Sequence, residues 1–189
     1  MASKRKPGKR QERQGRQCAA LPCMRHDGEL RVLLVTSRET RRWVLPKGWM
    51  EKRLAPHALA AKEAFEEAGI LGRVERRPLG RYDYLKRDVG GADTPCTVRV
   101  FRMRVDRLLD EWPERHERER RWFGLAEAAM AVDESGLAAL LLEAALSGAP
   151  ADAPGVPPDA SADGDPLVER RGRRPHRIPD AGSDSSGVG

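Results

Sequence analysis

Glu63, Glu66 and Glu67 lie close together in the segment LPKGWMEKRLAPHALAAKEAFEEAGI, residues 45–70. On an α-helix, positions i, i+3 and i+4 share one side, so three like charges are crowded where they repel. A divalent cation resolves that repulsion. Magnesium or manganese takes hard oxygen ligands and keeps several waters, and three neighbouring carboxylates make a suitable donor set. The loop ahead carries Lys47 and Gly48, and Arg41 and Arg42 stand just before it. Cations so placed are candidates for contacts to substrate phosphates. Together these residue types suit attack of water on a phosphoanhydride, whose negative oxygens must be neutralised before a nucleophile can approach. Taken alone, KEAFEE is the pattern of a solvated helix face, with Lys62 paired to Glu66 at i, i+4. Its surroundings give it a different meaning.

Those surroundings are elements that could position the glutamates. CAALPCMR and ELRVLLVTSR are apolar-rich runs separated by HDG, and Asp27-Gly28 is a strong hairpin signal. Trp43, Val44 and Leu45 predict a short strand closed by Pro46, which cannot donate to a ladder; a loop is expected to follow. Pro56 suits the first turn of a helix that runs on strong helix formers until Gly69, well placed to end it in a left-handed conformation. Leu59, Ala60, Ala64 and Phe65 are its candidate core residues, with the glutamates opposite. RVERRPLGRYDYLKR and CTVRVFRMRVDRL read as two strands with DVGGADTP as an exposed loop between them. The second alternates imperfectly: Val98 and Val100 share one face, whereas Phe101, Met103 and Val105 share the other, as a bulge or burial on both faces would produce. RRWFGLAEAAMAV predicts a strand entering a helix, and residues 135–146 a closing apolar helix. The sum is an α/β or α+β layered domain.

The chain of 189 residues has room for one such domain plus tails. A mean hydropathy of −0.65 with 34% charged residues is polar for a globular protein, and the polarity gathers at the ends. Residues 1–16 are expected to be a disordered basic arm, residues 17–147 the folded domain, and residues 148–189 a disordered Pro/Ala/Asp/Gly-rich and basic tail. Part of the net charge of +6 therefore belongs to the tails. No apolar run approaches membrane-spanning length, so the expectation is a soluble, cytoplasmic protein without a membrane partner. Cys18, Cys23 and Cys96 form no CxxC pair, and are expected to be structural thiols. Nothing in the residues sets the oligomeric state.

The spacing from Gly48 to Ile70 resembles the box of the Nudix hydrolases, G-x5-E-x7-R-E-U-x-E-E-x-G-U with U bulky and apolar. Gly48, Glu63, Glu66, Glu67, Gly69 and Ile70 match; Lys62 and Ala64 are mild changes, and Leu54 stands where the box has Glu. The flanks RRWVLPKGWME and DEWPERHERERRWFGLAEA are similar to the diphosphoinositol polyphosphate phosphohydrolase branch. The resemblance implies a Nudix-type sandwich, a mixed β-sheet packed between helices. It also implies magnesium- or manganese-assisted hydrolysis of a phosphoanhydride in a small polyphosphate, such as a diphosphoinositol polyphosphate or a diadenosine polyphosphate. In that frame Glu66 and Glu67 are metal ligands, Glu63 is a ligand or the general base, and the carbonyl of Gly48 or Lys47 completes the shell. Glu63 and Glu67 are then the catalytic pair, with Glu117 an additional acid from the later Glu-rich loop. In the family the residues at 54 and 62 form an ion pair that braces the loop on the helix, so Leu54 and Lys62 together suggest an apolar brace instead.

Two other readings fit the same residues. One is a degenerate domain that binds a phosphorylated ligand without cleaving it. The other is a pyrophosphohydrolase of RNA 5′ ends that the basic arm recruits to nucleic acid, although the core offers no obvious stacking platform for single strands.

Overall fold

A computed structural model describes residues 14–87 and 93–146. Residues 1–13 of the expected basic arm, the C-terminal tail and residues 88–92 of the DVGGADTP loop lie outside those residues, while Asp93, Thr94 and Pro95, expected in that loop, open a strand. β1 (Gly15–His26) and β2 (Glu29–Thr36) form the expected hairpin, turning on Asp27 at φ 51° and Gly28 at φ 80°. Two consecutive positive φ values give the turn whose twist matches that of paired strands. β1 starts at Gly15, ahead of the expected domain boundary, because residues 15 and 16 already pair with Cys96 and Thr97.

β3 (Trp43–Val44) pairs with the end of β2 and stops ahead of Pro46, one residue short of the expected Trp43–Leu45 strand. The segment after Pro46 differs from the expected loop: Lys47–Trp49 forms β4, antiparallel to Gln17, Cys18 and Ala19 of β1. The proline interrupts the ladder without ending it, since its carbonyl accepts from the Ala20 amide at 3.0 Å.

α1 (Pro56–Ala68) opens on proline and closes at Gly69, whose φ of 64° is the left-handed cap the sequence predicted. β5 (Ile70–Val74) and β6 (Gly80–Arg87) replace the single strand expected across this region. Both pair with the long β7 (Asp93–Leu108), end to end along one edge. The amides of Glu75 and Leu79 still reach β7, and the chain departs between them, where Pro78 has no amide to offer. β8 (Arg120–Gly124) joins β2, and α2 (Leu125–Ala131) and α3 (Ser135–Leu146) follow.

The strand order is β3-β2-β1-β7-β5, with β4 on β1, β6 on β7 and β8 on β2. β1 and β7 run parallel and the other pairs antiparallel, which makes the sheet mixed. Alternate residues of β1 feed two cores, as the period of two in a strand requires. Cys18 and Ala20 meet Leu59, Ala60 and Ala64 of α1 on one face, whereas Ala19 and Leu21 meet Leu125, Leu137 and Leu141 of α2 and α3 on the other. Residues such as Leu59 and Leu141 are fully buried, each contributing about 1.5–3 kcal/mol relative to exposure.

β7 explains its own irregular pattern. Val98 and Val100 belong to one core and Phe101, Met103 and Val105 to the other. The register with β5 slips between Leu71 and Gly72, leaving Asp106 as the extra residue. Gly72 is required there: a Cβ on it would lie 2.0 Å from the Arg104 carbonyl oxygen. Phe65, a candidate core residue, is instead 37% exposed. The three cysteines are buried and none forms a disulfide. Among the described residues, no helix is long and apolar enough to cross a membrane.

Candidate active site

β4 and α1 meet through Gly48 and Glu63. A Cβ on Gly48 would stand 2.0 Å from Glu63 Oε1, so the carboxylate lies against bare glycine backbone and any larger residue would push it aside. Burial pushes the Glu63 carboxyl above the usual range, against the pull of Lys62. One turn on, Glu67 is 7% exposed and accepts a hydrogen bond from the Lys47 amide at 3.2 Å. Its carboxyl is raised to about 7, first by burial, although Arg118 and Lys47 pull it down.

The cation that answers Glu67 comes from the loop between β7 and β8. Arg118, itself buried, reaches Glu67 Oε1 at 2.5 Å and Glu114 Oε2 at 2.5 Å, and donates to the Thr36 carbonyl at 2.9 Å. All three of its nitrogens are thus engaged, which is what an ion pair removed from water needs to persist. That loop is also tied to the last carbonyls of α1. Glu114 N donates to Glu66 O at 3.1 Å, Trp112 Nε1 to Glu67 O at 3.2 Å, Arg120 to Ala68 O at 2.7 Å, and Leu109 N to Gly69 O at 2.9 Å. These bonds satisfy the carbonyls that a helix C-terminus leaves open.

These groups open into a cleft of about 480 Å³. Among the described residues, five cations line it, Arg38, Arg42, Lys47, Lys86 and Arg118, and six carboxylates face them, from Glu39, Glu51, Glu63, Glu67, Glu114 and Glu134. Lys47 lies 5.8 Å from the centre of the Tyr84 ring, and burial lowers its pKa while Glu134 and Glu67 oppose the shift. Tyr84 donates to Gln17 Oε1 at 2.7 Å, and Lys86 covers the half-exposed Trp49 ring at 4.7 Å. A turn from Ser37 to Arg42, closed by Ser37 N to Arg42 O at 2.8 Å, forms one wall.

Of the residues expected from sequence, Gly48, Glu63, Glu67, Arg42 and Lys47 line this cleft. Glu66 does not; it turns to Lys62, whose Nζ is 3.5 Å from Glu66 and 2.9 Å from Glu51. Arg41, with a positive φ of 55°, turns away to Glu119 and to the Glu117 carbonyl. Glu117 lies outside the lining, 3.4 Å from Arg38, and Glu114 takes the place near the carboxylates instead. Leu54 packs partly buried against the α1-side core, as an apolar brace would. An electrostatic brace survives beside it, because Glu51 holds the cation that the box glutamate would hold.

Arg118, Glu134, Tyr84 and Gln17 were not anticipated, and Glu114 was passed over for Glu117 within the same Glu-rich loop. Arg118 and Glu114 are hidden in PERHERER, where alternating charge gives no sign of which side chain is buried. The one available signal was their i, i+4 spacing.

The oxygen donors of Glu63, Glu67, Glu114 and the Gly48 backbone suit a hard dication by type. Among the described residues, however, no three acidic, histidine or cysteine side chains converge as a ligand group. Arg118 holds Glu67 Oε1 and Lys62 lies beside Glu66, so a dication that takes either of those oxygens competes with a cation already there.

Comparison with known proteins agrees with this geometry. The NUDIX domain family matches residues 16–142. Nudix hydrolase 17, mitochondrial, of Arabidopsis thaliana is 37% identical over 100 residues, covering 53% of this chain and 53% of that protein. Diphosphoinositol polyphosphate phosphohydrolase 3-alpha of Mus musculus is 35% identical over 113 residues, covering 58% and 65%. The chain thus spans about half the length of the first curated relatives it matches. Among solved structures, a NUDIX hydrolase from Nitrosomonas europaea aligns with a TM-score of 0.57 at 18% identity, covering 72% of this chain and 90% of that one. The Ap4A hydrolase of C. elegans aligns at 0.51 and 16%, covering 71% and 98%. Nudix hydrolases generally use divalent metals. With the sandwich fold, the glutamate helix and more than half of its length matched, this chain belongs to the Nudix hydrolase family.

Proposed function

We propose that this chain is a metal-dependent hydrolase that cleaves a phosphoanhydride bond in an anionic small molecule, a diphosphoinositol polyphosphate or a diadenosine polyphosphate. The observation that carries the reading is the placement of Glu63 and Glu67, one helical turn apart, partly or wholly withdrawn from water and facing the same cleft as Gly48 and Lys47. Carboxylates desolvated at a cleft wall are poorly satisfied without a cation of higher charge. The relationship to a diphosphoinositol polyphosphate phosphohydrolase supports the first substrate class.

Glu63, Glu67 and the Gly48 carbonyl would hold magnesium or manganese, with Glu66 recruited from Lys62. The ion, when bound, supplies charge neutralisation at the phosphate oxygens and a more acidic water. The chain's own groups do the rest. Lys47 and Arg42 bind phosphate oxygens, Glu63 accepts a proton from the attacking water, and Gly48 keeps the Glu63 carboxylate in place by leaving room for it. Arg118 and Glu114 hold Glu67 in position from the loop behind.

One observation favours a second reading, a domain that binds a phosphorylated ligand without cleavage: Arg118 already occupies the most buried carboxylate. Product formation from both substrate classes, inorganic phosphate from the diphosphoinositol polyphosphate and mononucleotides from the diadenosine polyphosphate, measured with magnesium, with manganese and with a chelator, separates the two. Turnover that stops with the chelator supports hydrolysis. Ligand binding that is indifferent to the chelator, with no turnover, supports the second reading.

A further inference from the structure

Trp49 lines the cleft and is 43% exposed, although an indole is among the largest apolar surfaces a chain can bury. The strand that carries it sets its direction, because successive residues of a strand point to opposite sides. Gly48 turns its bare Cα toward Glu63, so Lys47 and Trp49 share the other side of β4, about 6.6 Å apart along the strand. Gln17, opposite Trp49 in the register with β1, lines the same cleft. The benzo end of the indole lies over Gly15, where a Cβ would stand 2.6 Å from Cζ3, so the ring is seated close against β1. Lys86 Nζ stands over it, 4.7 Å from its centre. A cation on a ring exposed to water is held weakly, and a flat aromatic group that stacks there gains more and displaces it. In a nucleotide one sugar separates phosphate from base, and that separation matches the step from Lys47 to Trp49. A phosphorylated inositol ring has no flat apolar face to offer the indole.

We propose that Trp49 is a specificity-determining residue: its exposed indole stacks on the base of a nucleotide whose phosphates lie at Lys47, and Lys86 gives up the ring to that base. The inference rests on the phosphoanhydride reading above and selects, between its two substrate classes, the dinucleoside polyphosphates. Selection comes from attraction for a base and not from repulsion of other anions. Trp49 serves binding and takes no part in bond cleavage.

Calorimetry on the full chain with magnesium compares AMP with ribose 5-phosphate, the same phosphate and sugar without a base. Neither probe contains a phosphoanhydride, so binding is read without turnover. The natural chain is expected to prefer AMP by about tenfold. Trp49→Ala should lose that preference with ribose 5-phosphate affinity unchanged, and Trp49→Phe should keep most of it. AMP should also quench tryptophan emission in the natural chain, and Trp49→Phe should abolish the quenching. Equal affinity of the natural chain for the two probes overturns the proposal, as do equal losses for both in Trp49→Ala or AMP binding indifferent to residue 49. Should circular dichroism show that Trp49→Ala does not fold, the emission decides: quenching that is absent, or equal in Trp49→Phe, overturns the proposal. If the predicted pattern appears in a chain that cleaves neither substrate class, the hydrolase reading fails while the role of Trp49 stands. If dinucleoside polyphosphates are cleaved and the pattern is absent, the role of Trp49 fails and the hydrolase reading stands.

Discussion

The two flanks of α1 each carry a cation between two glutamates, and they behave differently. On the outer flank Lys62 joins Glu66 to Glu51, with all three side chains more than a third exposed. On the inner flank Arg118 joins Glu67 to Glu114, with Arg118 and Glu67 less than a tenth exposed. The same charge arrangement is thus worth little in water, where exposed pairs contribute about 0–1 kcal/mol. In the interior, removal of one partner strands a charge without solvent. The helix is therefore anchored from within and only trimmed from outside.

The sharpest way to break this contrast is Arg118→Ala. Loss of the buried cation leaves Glu67 and Glu114 facing each other, and a destabilisation of about 3–5 kcal/mol in urea unfolding is expected. A loss below about 1 kcal/mol would put the inner flank on the same footing as the outer one. Glu67→Gln keeps the shape and removes the charge; turnover should fall by about a thousandfold, equivalent to several kcal/mol, with circular dichroism unchanged. Full activity in that variant would remove Glu67 from the metal site.

The next effect is a dependence on pH. In metal-free protein the Glu67 carboxyl, raised to about 7 by burial, binds its proton more readily in the folded chain than in the unfolded one. Its contribution to stability is greatest below about pH 4.5 and is lost as pH rises to about 7, by up to about 3 kcal/mol. Glu63 shifts in the same direction against the pull of Lys62, while Arg118 and Lys47 oppose the shift of Glu67. Urea unfolding at pH 5 and pH 8 should show the slope in the natural chain and a weaker one in Glu67→Gln. The smallest effect belongs to the outer flank. Glu51→Gln should lower stability by less than about 1 kcal/mol, and adding Leu54→Glu should restore the brace to Lys62, read as recovery of any lost activity.

The elements easiest to read from sequence were those fixed by local rules. The Asp27-Gly28 turn, the Pro56 and Gly69 ends of α1, and the two-faced β7 each follow from backbone preferences or a short repeat. The glutamate spacing located the reactive helix for the same reason. What escaped depends on partners distant along the chain. β4 exists because β1 supplies a ladder for Lys47–Trp49, which a proline just upstream concealed. Glu67 is buried because a loop some fifty residues later closes over it, so its helix periodicity suggested an outward face. Phe65 erred in the opposite sense, for an aromatic residue is not obliged to be covered. Arg118 and Glu114 sit in a run whose composition suits a solvated surface, and only the tertiary structure distinguishes them from Arg115 and Glu117.

The loop that closes over α1 and the first residue of β8 together place four donors, from Leu109, Trp112, Glu114 and Arg120, on the four consecutive carbonyls of residues 66–69. The loop is therefore in effect an extension of the helix, and its length is set by the register of those bonds. An insertion or deletion within it would shift Arg118 away from Glu67 while leaving every core residue in place. Variation should be tolerated more readily at Glu39, at the tip of the Ser37-to-Arg42 turn, because Arg38 and Arg41 beside it are themselves tied to Glu117 and Glu119 of this loop.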